Sequence, residues 1–275
     1  MRQLKFYFKS KEFIICSLVI IILISLGVYD YFQYASGTID ASFPEWVNRF
    51  SFWRRVMFYG SGTIIMFLSP FIIGILSLNA FYYKIKGSYL KNSLLRQDYN
   101  KMITKEIILS YIKAYLPFFI LSLFVLILGS ILYTTKISNY QYADSYTEFS
   151  YVGNFGPYAY IMLCQVALFL YVIMIVNIGF IVLRYTKKIM VTLILSFTIV
   201  NALNFLIGNF GMLLEQIIGN NFFVNHLLSF NIYEGYMVQS TVINAIINMG
   251  ILALLSGIVL YFSYRNKERV VRDFE

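Results

Sequence analysis

The stretch YIMLCQVALFLYVIMIVNIGFIVLRYTKKIMVTLILSFTIVNALNFLI, Tyr160 to Ile207, decides the fold. Two apolar runs, Tyr160 to Leu183 and Ile189 to Ile207, are joined by Arg184-Tyr185-Thr186-Lys187-Lys188. About 20 apolar residues are enough to cross the hydrocarbon core as helix. An open strand would leave its backbone polar groups unpaired in lipid. The stretch therefore reads as two membrane-spanning helices joined by a tight basic turn. Basic turns stay on the cytoplasmic side.

Four further runs read the same way: Phe13 to Tyr29, Ile64 to Tyr83, Ile112 to Tyr133 and Val242 to Phe262. The expectation is an all-α polytopic membrane protein with six transmembrane helices in a single domain, residues 1–275. Lys and Arg alternate along it. Arg2, Lys5, Lys9 and Lys11 precede the first run, and Lys84 to Lys105 fills the second connection. Arg265, Lys267, Arg269 and Arg272 follow the last run, while the third connection has only Lys136 and the fifth has neither Lys nor Arg. This pattern places both termini in the cytoplasm.

Composition agrees. Of the 275 residues 59% are hydrophobic and only 13% are charged, against about 25% charged in a soluble domain. The net charge of +9 is spread over span flanks and forms no single face, so it fits anionic lipid and topology better than nucleic acid. Tyr29, Tyr31, Tyr82, Tyr83, Tyr133, Tyr185 and Tyr261 lie near span ends, as in an interfacial aromatic belt. Cys16 and Cys164 sit inside apolar runs without a CxxC context and read as small buried hydrophobes. The first run is too long for a cleavable signal and no small-x-small site follows it. The wealth of Ile, Phe, Tyr, Asn and Lys points to a low-GC bacterium and its cell membrane.

The connections differ in character. Residues 1–12 read either as an amphipathic interfacial helix, with Arg2, Lys5 and Lys9 opposite Leu4, Tyr7 and Phe8, or as a plain basic flank. The first external connection, Asp30 to Gly62, contains an aromatic stretch, Trp46 to Tyr59, suited to an interfacial helix. Its Arg54 and Arg55 oppose the charge rule, either at a small cost or as a patch for an anionic group. The third connection, Thr134 to Tyr158, is polar and rich in Tyr. The fifth, Gly208 to Thr241, carries apolar clusters at Met212–Ile218 and Phe222–Leu228, each too short to span. Re-entrant helices between spans five and six are expected there, turning at Gly219-Asn220-Asn221.

Catalytic patterns are absent. There is no P-loop, no HExxH and a single histidine, His226, ordinarily a surface residue. No metal site is expected. Span centres hold essentially no ionisable group; Lys113 reads as close enough to the start of the third span to snorkel. Asn177, Asn201, Asn204, Asn244 and Asn248 are polar positions within the spans. They have two readings: interhelical hydrogen bonds, or the lining of a substrate path or dimer seam. Gly250, Ala253 and Gly257 form a small-residue stripe for close packing.

The second connection is amphipathic, with Leu90, Leu94 and Leu95 against Lys91 and Arg96. A short basic helix of this kind can dock a soluble partner through its apolar knobs. Gly87, Lys91, Asn92, Leu94, Leu95 and Lys105, in that order, resemble the coupling connection of the permease subunits of type-2 ABC exporters. The whole chain is similar to that family in architecture; in sequence the likeness is confined to Gly87–Lys105. It departs from the family pattern at Lys84 and Lys86, where an acidic residue often precedes the glycine, and at Gln97-Asp98-Tyr99-Asn100, where Pro or Ser is common. The resemblance implies an ATPase-coupling site of Gly87, Leu90, Lys91, Asn92, Leu94, Leu95, Arg96 and Lys105. It also implies a second permease chain, identical or not, and separate ABC ATP-binding subunits carrying ATP and Mg. This chain itself would hold no cofactor and would not be an enzyme. The cargo would be amphiphilic, such as a peptide or antimicrobial. A non-transporting membrane scaffold that recruits another cytoplasmic protein has the same topology, and an intramembrane enzyme lacks its catalytic constellation.

Overall fold

The computed structural model describes residues 8, 10–40, 49–58, 62–86, 98–133, 157–218 and 241–266, with backbone alone at some positions, among them 204, 207–218 and 241–245. Among the described residues the chain is entirely helical. In chain order the helices are α1 (Lys11–Asp40), α2 (Arg49–Phe58), α3 (Gly62–Lys86), α4 (Tyr99–Leu132), α5 (Pro157–Thr186), α6 (Ile189–Ile218) and α7 (Thr241–Tyr264). The expected basic segment Gly87–Arg96, the first seven residues, residues 134–156 and residues 219–240 with His226 lie outside the described residues.

Four helical stretches are long and apolar enough to cross a membrane: Lys11–Gln33, Tyr99–Leu132, Ile161–Thr186 and Ile246–Tyr264. They are compatible with a multi-pass protein embedded in a membrane. Ile189–Leu203 in α6 is a shorter apolar stretch. In the most apolar window of α5, 67% of residues are buried, against 28% in α1, 28% in α4 and 22% in α7, so α5 is the central helix. It packs against α3, α4, α6 and, most extensively, α7. The outward faces of α1, α4, α6 and α7 expose Ile15, Ile22, Ile127, Ile131, Ile194, Leu254 and Phe262. A water-soluble protein rarely leaves so much contiguous apolar surface open.

Helix ends fall where local chemistry puts them. Ser10 accepts the Phe13 N–H on Oγ at 3.2 Å and opens α1, and Glu12 sits in the first turn, where a helix N-terminus favours negative charge. Asp98 is extended and its Oδ1 accepts the Asn100 N–H at 3.0 Å, capping α4. This cap starts α4 well before Ile112, the expected start of the third span. The turn between α5 and α6 is only Lys187 and Lys188. Lys187 takes a left-handed φ of 54°, and its N–H closes on Leu183 O at 3.0 Å. Thr186 and Thr192 join their hydroxyls across the turn at 2.6 Å.

Several expectations need correction. α1 continues through Asp30 to Asp40, because nothing between Tyr29 and Asp40 breaks a helix. Tyr31 is fully buried (0%) beneath α2 and is no belt residue; its ring meets Phe52 edge-on at 5.0 Å. α2 is helical within Trp46–Tyr59 as expected, yet it is tucked into the bundle: Phe52, Trp53, Val56 and Met57 are buried. Arg55, unexplained from sequence, pairs with Asp30 through Nε at 3.2 Å. α6 runs on through Gly208 to Ile218, so the Met212–Ile218 cluster is continuous with the helix that begins at Ile189. Arg184 is helical and buried instead of lying in a solvated turn.

Glycines set the closest approaches. A Cβ on Gly129 would meet the Phe52 ring at 2.8 Å and Arg49 O at 3.1 Å, so α2 reaches α4 because that position has no side chain. The stripe of Gly250, Ala253 and Gly257 lies on the side of α7 that faces α5: Leu170 lies 4.0 Å from a Cβ on Gly250, and Asn177 Nδ2 lies 3.7 Å from one on Gly257.

Candidate functional site

The end of the bundle where α3 stops and α4 starts is the best-defined chemical feature among the described residues. These two helices flank the 87–97 connection. The last turns of α3 turn Lys84 toward α4, where its Nζ donates to both Glu106 oxygens at 2.6 and 2.7 Å. The Glu106 side chain is 9% exposed and that of Lys84 27%. Lys113 follows on α4 and is buried (7%). It lies fourteen residues into α4, about 21 Å along the axis. The expected position near a span start is therefore corrected: α4 begins at Tyr99 and not at Ile112. A second bond stitches the same seam, Ser110 Oγ donating to Ser77 O at 3.2 Å.

Neighbouring helices are tied in at this end. Asn79 Nδ2 donates to Glu12 Oε1 at 2.9 Å, joining α3 to α1. The Tyr99 hydroxyl donates to Tyr264 O at 2.9 Å, and the Tyr264 hydroxyl to Phe180 O at 2.9 Å, joining α4, α7 and α5. Phe81 packs on Phe180 with ring centroids 4.7 Å apart. Buried Arg184 lies within electrostatic reach of both tyrosines. Buried cations and hydroxyls of this kind need partners, because desolvation in an apolar bundle is costly.

Deeper in the bundle, two polar knots join α4 to α5. In the first, Tyr111 Oη donates to Asn177 Oδ1, while Asn177 Nδ2 donates to Ser256 Oγ at 3.0 Å and Ala253 O at 3.3 Å on α7. In the second, Ser122 Oγ accepts from Trp53 Nε1 at 2.9 Å and from Gln165 Nε2 at 2.7 Å. Tyr115 Oη completes it by donating to Gln165 Oε1 at 3.2 Å.

The residues singled out from sequence are distributed unevenly. Lys105 is exposed on α4. Asn177 links three helices, whereas Asn201 donates to Phe197 O of its own helix at 2.9 Å. Neither bonds another asparagine. Asn248 is partly buried on α7, and the side chains of Asn204 and Asn244 lie outside the described residues. Sequence reasoning missed Glu106, Ser122, Gln165, Tyr111 and Tyr115. A signal existed for two of them: Glu106 and Lys113 are seven apart and share a helix face, and Gln165 interrupts an otherwise apolar run. Among the described residues no group of three His, Cys, Asp or Glu side chains converges as a metal site would. Cys16 and Cys164 are free thiols, both buried.

No family model matches this chain, and no curated protein or solved structure matches it significantly. The class stated by the fold itself is an all-helical bundle compatible with a multi-pass membrane protein.

Proposed function

We propose that this chain is the transmembrane permease subunit of an ATP-driven transporter of the type-2 ABC exporter kind. It moves an amphiphilic substrate such as a peptide or antimicrobial across a bacterial cell membrane. The observation that carries the reading is the amphipathic basic segment Gly87–Arg96 between two apolar helices whose facing ends are joined by the Lys84–Glu106 pair. A segment held this way can pass a push from a soluble ATPase into the helices on either side. On this reading six spans cross the membrane, both termini are cytoplasmic and short re-entrant helices separate spans five and six. ATP and Mg belong to separate ABC ATP-binding subunits, and a second permease chain completes the transporter.

Co-purification tests it. The full chain is expected to retain a cytoplasmic ATPase, and Leu94→Asp or Leu95→Asp to release it while the chain stays folded. Intact association and transport in both variants would remove the coupling assignment. A second reading, a non-transporting scaffold, draws support from the knots at Asn177 and Ser122, whose polar groups are occupied in bonds between helices. Reconstituted vesicles that show no substrate-dependent stimulation of ATP hydrolysis would favour it.

A further inference from the structure

One carboxylate at the α3–α4 seam serves two ammonium groups. Glu106 accepts both bonds from Lys84. Lys113 follows Glu106 by seven residues, close to two turns, which puts both on one face of α4. Helical side chains lean toward the helix N-terminus, so the Lys113 stem runs back toward Glu106. Lys113 is within electrostatic reach of both Lys84 and Glu106. All three lie beside the connection, and Glu106 and Lys113 are each only 7% exposed.

We infer that Lys84, Glu106 and Lys113 form an ion triad with Glu106 as the shared counter-ion, pinning the last turn of α3 to the early turns of α4. The 87–97 connection is then the tip of a closed hairpin. Force applied to that tip moves α3 and α4 together and does not splay them. The use of this lever by an ATP-driven partner rests on the function proposed above; the triad itself does not.

The triad makes an asymmetric prediction that a simple pair does not. Without Lys84, Glu106 keeps Lys113 as a counter-ion. Without the Glu106 charge, two poorly solvated ammonium groups face each other, and an uncompensated buried charge is the costlier defect. Exchanging the charges in K84E/E106K restores one carboxylate between two ammonium groups.

Hydrogen–deuterium exchange on the full-length protein in lipid nanodiscs, read over 78–86 and 99–110, tests this. K84M is expected to speed exchange about threefold and E106Q about tenfold or more, with K84E/E106K returning to within about twofold of the native rate. Equal effects of K84M and E106Q, or no recovery on charge exchange, would overturn the triad. Should E106Q yield no folded protein, E106Q/K113M decides: recovered folding supports a repulsion between Lys84 and Lys113, and continued failure overturns it. A parallel pull-down of each variant with the cytoplasmic ATPase keeps the two ideas apart. The predicted exchange pattern in a chain that binds no ATPase would leave the triad standing and defeat the transporter reading.

Discussion

Replacing Ser122 by Ala should loosen α2, α4 and α5 together. Its hydroxyl accepts from Trp53 Nε1 at 2.9 Å and from Gln165 Nε2 at 2.7 Å, and the three residues are 3%, 1% and 7% exposed. Alanine leaves two buried donors without this acceptor. A donor stranded in an interior costs about 1–3 kcal/mol. In membranes the average worth of an interhelical hydrogen bond is nearer 0.6 kcal/mol, because the separated helices also find partners. The two bonds therefore bracket the loss between about 1 and about 6 kcal/mol. The lower half is expected to apply, since Gln165 keeps its bond from Tyr115. A loss of about 2 kcal/mol is roughly a thirtyfold shift of the unfolding equilibrium. Reversible denaturation in mixed micelles reads that shift. The chain has two tryptophans, so a W46F background leaves Trp53 as the only indole reporter. Its emission should move to shorter wavelength in S122A as Nε1 loses its acceptor, whereas S122T should retain the native emission. A stability change below about 0.5 kcal/mol with unchanged Trp53 emission would show that the knot contributes packing and not hydrogen bonding.

Further outcomes follow from the same contacts. G129A should cost about 1–3 kcal/mol in the same assay, because its methyl meets the Phe52 ring and the Arg49 carbonyl. G74A should cost less, since its methyl meets only the flexible end of Leu193. K187G should stabilise the turn by up to about 1 kcal/mol, visible as a higher melting temperature, because φ of 54° is uncomfortable for a residue with a Cβ. N177L should weaken the joint of α4, α5 and α7 by about 1–2 kcal/mol, with proteolysis of the α7 end as a second readout.

Much of the helical architecture was legible in the sequence because bilayer thickness imposes a length. Long apolar runs announce helices whatever they pack against. The boundaries were less legible, for reasons tied to particular residues. α1 outruns its apolar core because Asp30 to Asp40 contains no breaker, and α4 starts early because Asp98 can cap it. Arg54 and Arg55 looked like exceptions to a charge rule, and Asp30 supplies the local partner for Arg55. The aromatic stretch around Trp53 looked interfacial, because aromatic residues serve both at interfaces and in cores. Gly129 and Ser122, distant in sequence, select the core.

The sequence by itself determined that the chain is helical, that its apolar runs suit a membrane, and that a basic amphipathic segment separates two of them. These are one-dimensional properties: length, hydropathy and charge order. Only the tertiary structure decided which face of each helix is inside. In a soluble protein polarity marks that face, but a helix in lipid is apolar on both sides, so the inward face is chosen by small residues and a few polar bonds. Hence Lys84 read as one more flanking charge, and became the partner of Glu106 only when α3 and α4 packed side by side.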